Sequence, residues 1–352
     1  YGQKKKRFLG FHESQARYLP LKRCFNFWLM KKKVAIVYGG YSSEHKISEK
    51  SARVIFEHID RVLYEPFMVE ITTKSWHVNT KGGGVSPIDK NKFTFLTDRV
   101  ESAFDIAFIT IHGTPGEDGK LQSYFDMIGL AYINSGPFGS TLTFNKWACN
   151  SFLRAFGIAT AKAILIRKGE SPSTFEIADE IGFPCFIKPN GAGSSFGISK
   201  VKTLMEMPNA IAKAFEEDDE VVVEGAIVGR EITCGLYFDG TEIIPLPVTE
   251  IITPNEFFDY EAKYDGASQE VTPADIDLEL STLIQNTSKS IYRRLGLKGL
   301  ARIDFIVTEE CVPCLIEVNT TPGMSEASIV PQQFEAAGIE LKTVLSQLIE
   351  LG

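Results

Sequence analysis

Arg302, Asp304, Glu317 and Asn319 have the spacing and the chemistry to hold a hard cation beside a guanidinium. Side chains alternate along a strand, so residues two apart share a face. In ARIDFIV, Arg302 and Asp304 therefore point away from Ala301, Ile303 and Phe305, and in LIEVN, Glu317 and Asn319 point away from Ile316 and Val318. The intervening TEECVPC is short and polar, which suits an antiparallel hairpin and brings the three oxygen donors together. That donor set fits Mg²⁺ rather than zinc. On spacing alone, the same residues equally describe the solvated face of a strand. The segment that follows, Asn319-Thr320-Thr321-Pro322-Gly323-Met324-Ser325, is turn-rich, and its backbone can approach a ligand.

A phosphate partner for such a cation is suggested by residues 186–197, FIKPNGAGSSFG, where Lys188 ends a strand and a glycine-serine loop follows. Backbone N–H groups of a loop like this can fold over phosphate oxygens while the lysine supplies charge. It has neither the lysine after the last glycine of a Walker loop nor the GxGxxG pattern, and an ordinary turn reads similarly. Asn145-Lys146 opens a helix from which a second lysine could reach phosphates, although exposed lysines are commonly solubilising. Glu224-Gly225-Ala226-Ile227 ends an apolar strand and offers a carboxylate and backbone groups to an adenine edge. Glu231, seven residues on, could hold a ribose hydroxyl; the plain alternative for each acid is a surface carboxylate.

Elements must place these groups. Apolar runs at 34–38 and 105–113, with a helix expected from a Ser48 cap to His58, give a small α/β domain of parallel type. Helices are expected near 144–156 and 174–180, with strands at FPCFIKP and EVVVEGAI bracketing the glycine-serine loop. Strands at REITCGLYF and EIIPLPVTEI, a helix at 278–295, the hairpin and a last helix near 341–351 complete the chain. The expected divisions are 30–134, 135–224 and 225–352. Residues 1–29 are rich in Lys and Arg, with Glu13 the only acid. They are expected to be an upstream extension outside the fold, with a targeting peptide or a helix of real use as alternatives.

With 352 residues, 44% of them hydrophobic, the chain can build two or three cores. Its 37 basic and 45 acidic residues leave −8, which argues against a general nucleic-acid binder. No run approaches the ~20 apolar residues of a membrane span. Six cysteines scattered among apolar neighbours suit a reducing compartment, and the single CxxC at Cys311-Val312-Pro313-Cys314 reads as incidental.

Six ordered motifs together resemble the ATP-grasp enzymes, and within them the D-alanine-joining ligases. They are Gly39-Gly40-Tyr41-Ser42-Ser43-Glu44, Ile111-His112-Gly113 through Gly116-Glu117-Asp118-Gly119, the Lys188 to Gly197 loop, Asp259-Tyr260-Glu261-Ala262-Lys263-Tyr264, Arg302-Ile303-Asp304, and Glu317-Val318-Asn319-Thr320-Thr321-Pro322-Gly323. The resemblance implies a mixed α/β chain, with an ATP-grasp fold preceded by a small Rossmann-like α/β domain. It implies ATP-dependent joining of two D-alanine molecules through D-alanyl phosphate, for peptidoglycan synthesis, in a cytoplasmic homodimer with no nucleic-acid or membrane partner.

Residue by residue, the resemblance implies that Lys146, Lys188 and Ser195 hold ATP phosphates, Glu224 and Ile227 line the adenine pocket, and Glu231 meets the ribose. Asp304, Glu317 and Asn319 would hold two Mg²⁺ ions, with Mn²⁺ as a substitute. Glu44 would take the first substrate's ammonium with His112 nearby, and Ser194 and Tyr264 would link Glu44 to two loops. Lys263 and Ser328 would meet the second substrate's carboxylate. Arg302 and the Gly323 N–H would face the tetrahedral oxyanion, under a lid at 255–272. The loop NGAGSSFG lacks the charges some relatives carry at Gly191 and Ala192, and the lid sequence DGASQEVTP is its own. Competing readings are a ligase that takes D-lactate second and an ATP-binding regulator without turnover. A dehydrogenase is disfavoured because Tyr38-Gly39-Gly40 lacks GxGxxG.

Overall fold

Val34, Ala35, Ile36 and Val37 are wholly buried on strand Lys32–Gly39, as expected of a strand covered on both faces. The computed structural model describes residues 1–2, 31–80, 82–191, 197–253 and 269–352. The expected extension at 1–29 therefore lies outside the described residues from residue 3 on. Contacts divide the chain into Tyr1–Lys31 and a unit from Lys32 to Gly352, and all that follows concerns the second. Among the described residues, no helix is long and apolar enough to cross a membrane.

Strand Lys32–Gly39 runs parallel to Tyr64–Ile71 on one side and to Ile106–Ile109 on the other, and Ala131–Ile133 continues the parallel set. The expected parallel type needs correcting, because Trp76–Asn79 and Val85–Pro87 add an antiparallel margin to the same sheet. Helix His45–His58 covers one face through Ala52 and Ile55, together with the last helix, Leu341–Leu351. Helix Lys120–Ile128 contributes Leu121 and Phe125 to the other.

The first helix begins at His45 rather than at a Ser48 cap. Ser48 Oγ instead accepts from Gly39 N at 3.0 Å and donates to Thr110 O at 2.8 Å, so it fastens the helix to two strand ends. Gly39 turns the chain out of its strand at φ +103°, where a Cβ would stand 2.6 Å from Ile71 O.

A second sheet orders Ser199–Val201, Cys185–Pro189, Glu220–Gly225 and Ala163–Arg167, each pair antiparallel. Helix Pro137–Phe144 comes first, and the helix expected near 144–156 is the one after it, Lys146–Arg154. Asn145 breaks the chain direction between them and caps the second by accepting from Ala148 N at 2.8 Å.

The third sheet orders Gln269–Val271, Thr249–Ile252, Arg230–Phe238, Leu300–Val307 and Pro313–Asn319, with Ile243–Pro245 paired to Arg230–Phe238. EIIPLPVTEI is thus two strands rather than one, since neither proline in Pro245-Leu246-Pro247 has an N–H to donate to a ladder. Ala301, Ile303, Phe305 and Val318 pack on helix Leu278–Arg294 through Ile284 and Ile291. This is the apolar face that the alternation required, and it leaves Arg302 and Asp304 on the opposite side.

Candidate functional site

Strands Leu300–Val307 and Pro313–Asn319 pair antiparallel with Arg302 opposite Asn319 and Asp304 opposite Glu317, and a bulge follows Asp304. Residues directly opposite share a face, so the four polar side chains stand together. Asp304 is buried, and its carboxylate is the hub: Arg302 Nε and Nη2 each donate to it at 2.8 Å, a bidentate fork. Asn319 Nδ2 donates at 3.0 Å, and Thr233 Oγ1 donates from the neighbouring strand. Two carboxylates and an amide oxygen on one face fit a hard divalent ion. Among the described residues there is no group of three His, Cys, Asp or Glu that could hold a metal.

A second cluster faces it. Glu44 precedes the first helix without capping it through its side chain and is buried, its N–H donating to Ser42 Oγ at 3.3 Å. Ser42 Oγ donates in turn to His112 O at 2.9 Å, on the loop that leaves strand Ile106–Ile109. Gly113 N donates to Glu117 Oε2 at 2.7 Å, and a Cβ on Gly113 would stand 3.8 Å from Glu44 Oε2. Burial, helped by the Arg302 charge, pushes the His112 imidazole down to about 4, and among the described residues its Nε2 has no partner. It is neutral at pH 7. Burial pushes the Glu117 carboxyl up to about 8; Glu44 and Glu317 push the same way, while the Gly113 N–H and Lys146 oppose. These shared fields put Glu44, His112, Glu117, Lys146, Arg302 and Glu317 in one site.

Lys188 and Glu224 form a buried ion pair at 2.6 Å, and among the described residues Glu224 Oε1 has no hydrogen-bond partner. Their strands place Phe186 opposite Glu224 and Lys188 opposite Val222, so both charges leave the same face. A buried carboxylate oxygen without a donor is costly, which marks it for a ligand's N–H. Ile227 lies half-buried just beyond that strand. Glu231 is opposite Ile306 and two residues from Thr233, hence on the same face of its own sheet as Asp304.

Lys146 is brought to the glycine-serine loop by Asn190. The Asn190 backbone oxygen accepts from Lys146 N at 3.3 Å, its Oδ1 accepts from Trp147 N at 2.9 Å, and its Nδ2 donates to Glu220 Oε2 at 2.7 Å. Gly323 approaches Ser328 so closely that a Cβ would stand 2.8 Å from Ser328 Oγ. Met324 N donates to Ser51 Oγ at 3.1 Å, fixing this turn to the helix that follows Glu44.

Ser194, Ser195, Lys263 and Tyr264 lie outside the described residues, as does the lid up to residue 268. Glu117 and Asn190 were not singled out as site residues by the sequence reading. Glu117 stood in a quoted motif, but nothing in its spacing reveals that three charged groups converge on it. Asn190-Gly191 reads as a turn, and only the fold shows that turn gripping a helix N-terminus.

A family model described as the N-terminus of D-ala D-ala ligase matches residues 33–135, and one described as its C-terminus matches residues 152–350. A D-alanine–D-alanine ligase of Parabacteroides distasonis is 49% identical over 322 residues, covering 91% of this chain and 97% of that protein. The crystal structure of a D-Ala:D-Ser ligase from Enterococcus faecalis superposes with TM-score 0.83 at 32% identity, covering 92% of this chain and 99% of that one. That of a Bacillus anthracis D-alanine–D-alanine ligase complexed with ATP gives TM-score 0.73 at 29% identity, covering 91% and 96%.

Proposed function

This chain belongs to the D-ala D-ala ligase family, and from that premise we propose which of its residues carry each part of the reaction. The protein is an ATP-dependent ligase that joins two D-alanine molecules into D-alanyl-D-alanine for peptidoglycan synthesis. The observation that carries the residue assignment is the convergence of Glu44 and His112 from one sheet with Arg302, Asp304 and Glu317 from another.

Glu44 holds the ammonium of the first D-alanine, and neutral His112 orients its carboxylate without adding a second positive charge to it. A carboxylate acylates poorly, so the γ-phosphoryl group of ATP first converts it to an acyl phosphate. Lys146 and Lys188 hold phosphate oxygens in line, with Ser195 in the loop between. Glu224 Oε1 accepts from the adenine amino group, Ile227 packs on the ring, and Glu231 takes a ribose hydroxyl. Asp304, Glu317 and Asn319 hold Mg²⁺, two ions or their Mn²⁺ equivalents, which neutralise charge on the transferring phosphoryl group when bound. The second D-alanine, its carboxylate held by Lys263 and Ser328, attacks the acyl carbon through its neutral amine, and as the tetrahedral adduct collapses the C–O bond to phosphate breaks and inorganic phosphate leaves with the nitrogen's proton. Arg302 and the Gly323 N–H stabilise the oxyanion that forms. Ser194 and Tyr264 tie Glu44 to the loops that exclude water, with 255–272 as the lid.

In this reading 30–134 receives the first substrate, while 135–224 and 225–352 hold ATP between them. A homodimer working in the cytoplasm is part of the same reading.

Incubation with ATP, Mg²⁺ and D-alanine tests it. ADP, phosphate and D-alanyl-D-alanine should appear in equal amounts. Turnover with D-lactate but not with D-alanine as second substrate, or none at all, would overturn it.

A further inference from the structure

Edge strand Gln269–Val271 carries a carboxylate that none of the roles above uses. Glu270 pairs with Ile251, and Thr249, two residues before Ile251, pairs with Thr233. Side chains of paired residues share a face, so Glu270 projects on the same side as Thr233, the donor to Asp304. Thr272 agrees, since its hydroxyl stands 2.7 Å from Thr249 Oγ1.

Helix Ile329–Ala336 lies over this face. Gln333 Nε2 donates to Thr249 Oγ1 at 3.0 Å, and its Oε1 accepts from Gly235 N at 2.9 Å. The adjacent Gln332 Nε2 donates to Glu270 Oε2 at 2.7 Å, one turn beyond Ser328. From the other direction Arg302 acts on the half-buried Glu270 carboxylate, which burial would otherwise hold neutral more readily. Glu270 therefore sits against the helix that begins beyond Ser328, on the sheet face that carries Arg302.

In the reading above, Ser328 meets the acceptor's carboxylate and Arg302 meets the reacting carbonyl. The α-nitrogen of the acceptor must lie between those two points, because it is one carbon from its own carboxylate and must reach the acyl carbon. We infer that Glu270 is a specificity-determining residue that holds the acceptor's α-amino group and so selects an amino acid over a hydroxy acid of the same shape. The acceptor arrives as an ammonium, which brings a positive charge and three donors to that carboxylate and gives up one proton to solvent to become the attacking amine, whereas a hydroxyl brings one donor and no charge.

This inference rests on the ligase reading, and a competition experiment separates the two. The wild type, Glu270→Gln and Glu270→Asp are given ATP, Mg²⁺, D-alanine, D-serine and an excess of D-lactate, and the products are measured by mass spectrometry. Because the readout is a ratio of products, it does not depend on how much active enzyme each variant yields. In Glu270→Gln, the ratio of D-alanyl-D-alanine to D-alanyl-D-lactate should fall about tenfold, the scale of one charge-assisted hydrogen bond. The ratio of D-alanyl-D-alanine to D-alanyl-D-serine should stay constant, since both acceptors carry the amine. Glu270→Asp should keep the wild-type selection. Glu270→Gln with wild-type ratios throughout, or with no depsipeptide despite the excess of D-lactate, would overturn the assignment while leaving the ligase reading intact. A wild type forming none of these products would overturn both.

Discussion

His112 shows how one side chain ties the site to the pH dependence of the whole protein. Burial and the nearby Arg302 charge bring its folded pKa to about 4, against 6.5 for a free imidazole. Between those values the unfolded chain binds a proton that the folded chain refuses, so His112 by itself makes unfolding harder as pH rises from 4 to 6.5, while the raised Glu117 carboxyl works the other way from 4.5 to about 8. The His112 part amounts to about 3 kcal/mol at most. Urea unfolding at the two ends of the His112 window, compared between the wild type and His112→Asn, should show that part as a smaller rise in stability with pH in the variant; an unchanged pH dependence in the variant would put the titration elsewhere.

Arg302 makes a second test at this scale. Lysine in its place keeps the charge but loses the planar fork on Asp304. Arg302→Lys should lower kcat about 100-fold, as the loss of an oxyanion donor does, and near-normal turnover would remove it from the reacting carbonyl. The period-two spacing made Arg302, Asp304, Glu317 and Asn319 legible in the sequence, because a strand's facing is local geometry. Glu117 and Asn190 were not legible, because their roles come from contacts between segments far apart in sequence.

Elements were readable where their cause is local, and misread where a tertiary partner decides. The hairpin strands at 300–307 and 313–319 follow directly from alternation. Ser48 looks like a cap because serine commonly caps, yet its hydroxyl is taken by Gly39 and Thr110, and the helix starts earlier. The short margin strands Trp76–Asn79 and Val85–Pro87 carry little periodic signal and exist by pairing with Tyr64–Ile71 and with each other.

Asn190 is the element-scale counterpart of a catalytic side chain, since it joins the end of strand Cys185–Pro189 to the N-terminus of helix Lys146–Arg154. Asn190→Ala would free the Trp147 N–H and remove one of the donors to Glu220, leaving those from Asn145 and Arg167, and so loosen Lys146 relative to the loop. The expected outcome is a KM for ATP raised about tenfold, with a far-ultraviolet circular dichroism spectrum like that of the wild type. A KM for ATP that does not move would show that the loop holds its place without this link.

At the scale of the molecule, the buried faces of three sheets carry the fold, and the charged groups those faces leave over make the site. The family could be recognised from the sequence because six motifs occur in order along it, and order survives when individual spacings are ambiguous. Asp304 and Glu317 stand opposite each other on adjacent strands, and Arg302 forks onto Asp304. A divalent ion bound with ATP between these carboxylates should stabilise the folded chain measurably. A ligand at 100 times its Kd adds about 2.7 kcal/mol, which for a chain of this size corresponds to a rise of roughly 3 to 4 °C in Tm. Thermal melts with ATP and Mg²⁺ should show that rise, with ATP alone giving clearly less. Glu317→Gln should lose the Mg²⁺-dependent part while keeping the ATP-only part, because it removes a charge from the metal face and leaves Lys188, Glu224 and their strands untouched. A variant that keeps the full Mg²⁺-dependent rise would exclude Glu317 from the metal set and leave the ion to Asp304 and Asn319.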